Sequence, residues 1–463
     1  MSWLLVLLIA YSVALVALGA WIGRAVRKSE DFFVGGRSLG PALIFGTFMA
    51  ANVGAASTVN ATGLAYNHGL AAWWWNGSAG IGTLILAFVV GPRIWRLASE
   101  RGYLTIGDYL QDRFGRTVRL VVTGVIWFGT LSIFAAQVIG AAAVLEAAGG
   151  VSRTTGAFIA AAAMTAYFAV GGLLSAVWVN RVQLLVIVAG FALAVAYTIG
   201  AAGGVGVVAG AVPGSSFLMG TTTAAGFPLL FLLAPNFFLS PGLVQRAFAA
   251  KSVDALRTGV AWCGVALLVF ACAPVALGMA ARVLHPELLG APTQVILPTL
   301  LAQSVPMFVG ALALAAVFSA EISSGDAVIY MLSTTGARDL YKGVFRPDAT
   351  DAQVLRAARV IAVLGGLGGF ALVFYHESLS SALGAFYSVI GVTLLAPVMG
   401  GLFVPRGGSA AALGSLVAGL SLLYFGSDVI ALVAPGSWLT TPLISIIGSV
   451  ATFIAIAAAF PRR

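Results

Sequence analysis

Charge is what this chain has least of. Its 463 residues include 24 Lys and Arg and 15 Asp and Glu, 8% in all, where a water-soluble domain carries about 25%. That scarcity excludes an ordinary soluble fold. Cysteine is nearly absent, and Cys263 and Cys272 share one apolar run, so no disulfide framework or metal cluster is expected. The three histidines, His68, His285 and His376, fall in segments expected on the outer side and read as surface residues, not ligands. An enzyme needs His, Cys or paired carboxylates gathered in one pocket, and none are grouped here; the chain is not expected to be one. A channel needs a ring or a repeated filter, and a sensor an appended signalling domain. Neither pattern is found, nor any polar stretch long enough for a separate soluble domain.

What is present is apolar surface: 60% of the residues are hydrophobic. Runs of membrane-spanning length fall at 2–23, 41–66, 70–92, 118–147, 154–172, 176–200, 225–245, 258–283, 307–336, 357–375, 380–404, 409–426 and 438–460. The expectation is an all-α integral membrane protein with about thirteen transmembrane helices, residues 1–463 forming one transmembrane unit. The first run has no basic stretch before it and no small-residue cleavage site after it, so it reads as a retained helix. Alternating the connections puts Arg153 and Arg282 on one side and the rest of the 24 basic residues on the other. By the positive-inside rule the N-terminus is outside and the C-terminus cytoplasmic, in a cell (inner) membrane. The net charge of +9 is thus a topology signal and gives no reason to expect nucleic acid. Arg93 to Arg119 mixes arginines with tyrosines and aspartates and predicts a short amphipathic helix at the headgroups. The long, proline-bearing stretch His285 to Val305 predicts a helical cap on the outer side.

Two stretches interrupt this apolar pattern with small and polar residues. Ser319 to Asp326 (SAEISSGD) lies in the run near Met307 to Gly336, and Ala50 to Thr58 (AANVGAAST) lies in the first half. Such residues persist in a membrane helix only where they pack another helix or face a wet interior. At 100° per residue Ala320, Ser323 and Ser324 share one arc, flanked by Glu321 and Asp326. Two hydroxyls and a carbonyl loosened by the glycine and serines would suit a small hard cation. The seventh run is broken too, with Pro228, Pro235 and Pro241 around Asn236 and Ser240. Paired interruptions in matching halves point to a transporter's midplane site. Setting residues 2–23 aside as an extra helix, 41–200 and 225–404 form two five-helix halves of opposite orientation, an inverted repeat. Each half opens on an interrupted helix, and 409–460 adds two helices.

Five motifs in order then carry a resemblance. They are Glu30 to Gly40 (EDFFVGGRSLG) and Thr62 to Gly69 (TGLAYNHG); Tyr167 to Gly172 (YFAVGG) with Ala176, Val177, Trp178 and Gln183; Gln245-Arg246 with Ala249 to Ser252; and Ala320 to Ser324 with Arg338 to Lys342 (RDLYK). Over nearly the whole chain the sequence resembles the sodium:solute symporter family, which has a leucine-transporter-like, five-plus-five inverted repeat. The resemblance implies sodium-coupled import of a small organic solute by alternating access. It implies a sodium ion held by the carbonyls of Ala50, Val53 and Ala320 and the hydroxyls of Ser323 and Ser324. Two departures stand out: Asn180, followed by Arg181, where many members carry an aspartate, and Glu321 where members are usually apolar. Proton coupling or exchange through Glu321 is therefore the rival reading. Asp326 is placed on the ion's exit path.

For the solute, candidate contacts are Ser57, Asn76, Gln137, Ser240 and Tyr387. Asn76 is balanced between solute contact and an aromatic belt, and Gln137 reads more as interhelical glue. Tyr387 with Phe386 suits a gate or plain packing. Asn52 is assigned to steadying the interrupted backbone. The topology puts no arginine at pocket depth, which disfavours a solute carboxylate held by a guanidinium.

Overall fold

In the computed structural model residues 3–23, 33–220, 225–433 and 439–460 are described. Glu30 to Phe32 of the first motif, and Arg24, Arg27, Lys28, Arg462 and Arg463 of the charge pattern, lie outside them. The described residues fold as helices linked by short turns. Among the described residues nine helical stretches are long and apolar enough to cross a membrane, and Leu5–Gly19, Pro41–Asn52 and Leu229–Leu239 are shorter apolar helices. The expected total of about thirteen is not fixed by length and composition alone. The runs expected at 154–172 and 176–200 are two helices that meet at a break at Gly172, both within Arg153–Ala201. That glycine sits at φ 56°, ψ −154°, a conformation open to residues lacking a Cβ.

The first interruption is real. Helix α2 (Pro41–Asn52, after α1, Trp3–Gly23) stops at Val53, whose φ −99° and ψ 102° are extended. A π-turn, Ala56–Asn60, restarts the chain and continues as Ala61–His68; together these are α3. A second interruption falls at Ser240 (φ −50°, ψ 126°). After α4 (Trp73–Ile85, continued to Arg101), α5 (Ile106–Phe114), α6 (Arg116–Gly149) and α7 (Arg153–Ala201), it separates α8 (Leu229–Leu239) from α9 (Pro241–Phe248). Proline at the first position of α9 is tolerated because that N–H has no intrahelical partner in any case.

The stretch Ser319 to Asp326 corrects the sequence reading. After α10 (Val253–Phe270), α11 (Cys272–Leu284) and α12 (Thr293–Gln303), helix α13 (Met307–Thr334) runs through it unbroken. Its hydroxyls bond back to the helix's own carbonyls, as Ser323 Oγ does to Ala320 O at 3.1 Å, so the backbone needs no break. Helices α14 (Asp351–Leu372), α15 (Leu379–Leu394), α16 (Ser409–Val433) and α17 (Thr441–Ala459) complete the chain.

The packing puts α13 at the centre. It lies against α7, α6, α14 and α2 and is buried from Ala316 to Ala337. Helix α15 packs on α6, α8 on α4, and α11 on α3, while α16 and α17 pair with each other. The expected amphipathic helix is α5, started by a capping box in which Thr105 accepts from the Asp108 N–H and Asp108 from the Thr105 N–H. The expected cap is α12, tied down where Asn60 Oδ1 accepts from Thr293 Oγ1 at 3.2 Å and from Ser380 Oγ at 2.7 Å.

Candidate functional site

The end of α2 and the middle of α13 meet through oxygen. Stopping a helix leaves its last carbonyls without N–H donors. Here the Gly54 N–H turns to Ser57 Oγ at 2.9 Å and the Ser57 N–H to Gly54 O at 3.0 Å. The carbonyls of Ala50 and Val53 are left to other partners, and α13 supplies them. Ser324 Oγ lies 3.1 Å from Ala50 O, 2.9 Å from Val53 O and 3.4 Å from Ala51 O. Ser323 Oγ lies 3.2 Å from Ala50 O and 3.1 Å from Ala320 O.

A hydroxyl has one proton to give. Two serine protons therefore face the carbonyls of Ala50, Ala51, Val53 and Ala320, and lone pairs outnumber donors. This surplus of neutral oxygens, buried and close together, suits a small hard cation that takes oxygen ligands. The approach depends on Gly54. A Cβ there would run into the Ser324 side chain and come 2.7 Å from Gln137 Oε1.

Beside these oxygens is a cavity of about 60 Å³, with Ala51, Asn52, Gly54 and Ser324 in its wall. Ser324 thus touches the oxygen cage on one side and the cavity on the other. Gln137, Ser240 and Tyr387 line it as expected, with Asn236, Met331 and Phe386. Gln137 has a second role, since its Oε1 accepts from the Ala55 N–H at 2.9 Å and caps the restart of the broken helix. Ser240 Oγ points to Met331 Sδ at 3.8 Å. Tyr387 packs edge-on against Trp75 and Phe386 and is buried.

Two solute candidates serve the backbone instead. Ser57 is engaged with Gly54, and Asn76 Nδ2 donates to Ser57 O at 2.8 Å; neither lines the cavity. At an interruption the orphaned carbonyls take the nearest amides and hydroxyls first. Asn52 does line the cavity, and its Nδ2 reaches Cys263 Sγ at 3.8 Å, not the backbone it was assigned to steady.

The expectation that no arginine reaches pocket depth is overturned. Arg246 lines the cavity and is 1% exposed. Its Nε donates to Thr47 Oγ1 at 3.1 Å and its Nη1 to Gly242 O at 3.2 Å, with the guanidinium 4.8 Å from the Tyr330 ring centre. The interruption at Ser240 redirects α9 inward and carries Arg246 with it. The Ser-Pro-Gly sequence at 240–242, followed by Gln245 and Arg246, was the available signal.

The remaining candidates are buried. Glu321 is 0% exposed and accepts from Thr58 Oγ1 at 3.1 Å, a bond to a neighbouring helix. Asp326 is buried on α13. Asn180 is buried on α7 with neither amide atom hydrogen-bonded. His285 and His376 are both 8% exposed, correcting their reading as surface residues. His285 Nδ1 meets Glu287 Oε1 at 2.8 Å and its Nε2 meets Ser304 Oγ at 2.6 Å, bracing the base of α12.

At the end of α13 away from the α12 cap, Asp339 Oδ1 accepts from Arg119 Nη2 and from Thr105 Oγ1, both at 2.6 Å. Arg119 also lies 3.4 Å from Asp108 and donates to Gln111 Oε1 at 2.7 Å. Charged groups thus fasten α5 and the start of α6 to the helical stretch Thr335–Phe345 that continues α13.

The model of the sodium:solute symporter family matches residues 32–419. The chain belongs to the sodium:solute symporter family. Among its relatives, the sodium/glucose cotransporter of Vibrio parahaemolyticus is 24% identical, over 90% of this chain and 83% of that one. The sodium/proline symporter of Escherichia coli (strain K12) is 25% identical over 86% and 83%. The sodium/pantothenate symporter of the same organism is 26% identical over 89% and 88%. In fold, the chain is similar to a Na+-coupled sialic acid symporter in a substrate-bound outward-open state. The TM-score is 0.80 at 18% identity, over 98% of this chain and 97% of that one. It is also similar to Mhp1, a nucleobase-cation-symport-1 family transporter in a closed conformation, with a TM-score of 0.59 at 17% identity. As a member of this family the chain is a multi-pass membrane protein and a sodium-coupled secondary transporter of a small organic solute. Sodium is its coupling ion.

Proposed function

We propose that the carbonyls of Ala50, Val53 and Ala320 and the hydroxyls of Ser323 and Ser324 hold the coupling sodium ion, and that the adjoining cavity receives the solute. The observation that carries this is the excess of oxygen lone pairs over protons where α2 stops against α13. A cation there draws carbonyls and hydroxyls together and fixes α2 against α13. The cavity wall, which includes Ala51, Asn52, Gly54 and Ser324, is then set in shape for the solute. About 60 Å³ is the room of roughly two water molecules, so Phe386, Tyr387 and Met331 must move before a solute enters. Gln137, Ser240 and Asn236 offer hydrogen bonds at the wall, and Arg246 is a cation that a solute carboxylate would meet. In this reading 41–200 and 225–404 are the two inverted halves, with the N-terminus outside and the C-terminus cytoplasmic. Transport is by alternating access, without covalent chemistry.

The test is Ser323→Ala and Ser324→Ala, singly and together, in proteoliposomes, after a thermal-shift screen of solutes with and without sodium has found one that binds. Each single change should weaken sodium-dependent uptake and the double change should nearly abolish it. Insertion should survive, because alanine keeps the small-residue helix face. An inserted double variant with unchanged sodium dependence would return the serines to a packing role.

A further inference from the structure

The cavity wall holds two primary amides whose orientation the backbone fixes. Gln137 Oε1 accepts from the Ala55 N–H at 2.9 Å, so Nε2 is the end that can donate to a solute. Asn236, on α8 one turn before the break at Ser240, is set the other way: its Nδ2 donates to Leu232 O at 2.8 Å. Turning that amide over would set Oδ1 against a carbonyl with no proton between them. Asn236 is 2% exposed and lines the cavity, and its Oδ1 accepts from no group among the described residues.

A buried acceptor without a donor is costly, and folded proteins leave few of them. The nearby hydroxyl of Ser240 points to Met331 Sδ instead, and Phe237, Leu243 and Val328 in the same wall have no side-chain proton to give. Among the described residues that line the cavity, Arg246 is the one that carries charge. It folds back along α9: Nη1 donates to Gly242 O at 3.2 Å, and a Cβ on Gly242 would lie 3.6 Å from that nitrogen. The guanidinium is thus brought to Gly242, next to the break that Asn236 approaches from the other side.

We infer that the solute is a small 2-hydroxy or 2-amino acid, selected by Asn236 Oδ1, which takes a proton from the hydroxyl or ammonium beside the carboxylate. The inference rests on the proposal that this cavity receives the solute. The carboxylate faces Arg246, and Gln137 Nε2 donates to one of its oxygens. The solute's side chain lies against Phe237, Leu243 and Val328. Such an acid carries its anion and its donor on neighbouring atoms, matching the cation and the acceptor on the two sides of the break. An acid without the donor leaves Oδ1 buried and unpaired in the bound state, which is how a polar site rejects an analogue that differs by one group. An amine without the carboxylate brings a second cation to Arg246, and no described residue of the wall supplies a carboxylate to offset it.

The test uses the purified full chain in detergent at high sodium and reads the melting temperature against probe concentration. The probes are L-leucine and L-2-hydroxy-4-methylpentanoate, with 4-methylpentanoate as the acid lacking the donor and 3-methylbutylamine as the amine lacking the carboxylate. L-alanine, L-lactate, propionate and ethylamine repeat the set at smaller size. In at least one set the hydroxy or amino acid should half-saturate at a concentration about tenfold or more below that of the donorless acid, and the amine should not stabilise. Asn236→Leu removes the acceptor and should close that gap to within about threefold. If it does not fold, Asn236→Thr takes its place, because a threonine hydroxyl in these helices bonds back to the carbonyl four residues earlier, as Thr130 does to Ile126 O at 2.7 Å. Equal binding of the acids with and without the donor, stabilisation by the amine, no stabilisation by any acid, or a gap unchanged in the folded Asn236 variant each overturns the inference. Ser240→Phe fills the cavity and should abolish stabilisation by every probe. Binding that survives Ser240→Phe puts the solute elsewhere, so the proposed cavity and this inference fall together. Binding blocked by Ser240→Phe, with a gap that Asn236→Leu does not change, leaves the cavity as the solute's site and removes only the role of Asn236.

Discussion

Replacing Gly54 by alanine should disable the sodium site while leaving every residue assigned to it unchanged in sequence. Gly54 does not have a left-handed backbone, so alanine meets no conformational barrier and the whole effect is steric. The added Cβ would be 2.5 Å from Ser324 Cβ, 2.7 Å from Gln137 Oε1, and closer still to Ser324 Oγ. Ordinary contact begins near 3.4 Å, so α13 and the hinge must separate by about 1 Å, because Ser324 Cβ is rigidly tied to its helix. Overpacking of this kind costs about 1–3 kcal/mol. If that cost falls on the ion-bound state, where the hinge is drawn tightest, sodium affinity drops about 5- to 150-fold at about 1.4 kcal/mol per tenfold. Sodium-dependent thermal stabilisation and the sodium dependence of uptake both read that shift. Gly46, whose Cβ would meet nothing within 4 Å, is the control on the preceding helix α2: Gly46→Ala should leave both unchanged. A Gly54→Ala protein with wild-type sodium affinity would refute the close approach of α13 to the hinge, and with it the cage.

Three further outcomes follow from the geometry. Asp339→Asn should lower stability by about 3 kcal/mol, since it strands a buried Arg119, a loss read by thermal unfolding; a shift under 1 kcal/mol would mean that Asp108 alone satisfies the guanidinium. With the exposed Cys272 replaced by alanine, cysteines introduced at the exposed positions Val205 and Phe345 should be labelled from opposite sides of the membrane, and labelling from one side would overturn the topology. One sodium per solute is expected because Asn180 stands where an acidic side chain would favour a second cation. About 2.3 kcal/mol from 100 mV plus about 1.4 kcal/mol from a tenfold gradient then limits accumulation of a neutral solute to roughly 500-fold, and reversal potentials indicating two ions would refute the Asn180 argument.

The oxygen cluster between α2 and α13 was legible because it depends on two facts that a sequence carries directly, residue type and helical spacing. Ser323 and Ser324 can only point the way α13 turns them, and Ala50 and Val53 contribute backbone alone. The cavity was less legible, because its polar side chains had a choice of partners. Ser57 and Asn76 look like solute ligands by depth and chemistry, yet the interruption at Val53 creates orphaned backbone groups a few ångströms away, and these claim both side chains. Arg246 was missed for the converse reason. Counting apolar runs ends the seventh near residue 245 and assigns the arginine to the headgroups. The turn at Ser240 instead tucks α9 into the bundle. Hydropathy reads the depth of a straight helix and has no means of following a bent one.

The arginines also did more than the positive-inside count required of them. As topology signals they need only be on the right side of the membrane. Arg119 is 6% exposed and Asp339 is 0% exposed, so both have left water, at a desolvation cost of several kcal/mol per ion. A buried pair of this kind seldom adds net stability over apolar packing; what it adds is a sharp penalty for separating the partners. That is useful at a joint between parts that move relative to each other. The pair closes α5 and the start of α6 onto Thr335–Phe345, the helical continuation of α13, which carries Ser323 and Ser324. A displacement of α13 that opens this end must either carry α5 along or break the pair. If the oxygens facing Ser323 and Ser324 hold sodium, its release at the middle of α13 and the ion pair beyond the end of α13 act on the same helix, so the first can bias the second over a distance that neither contact spans.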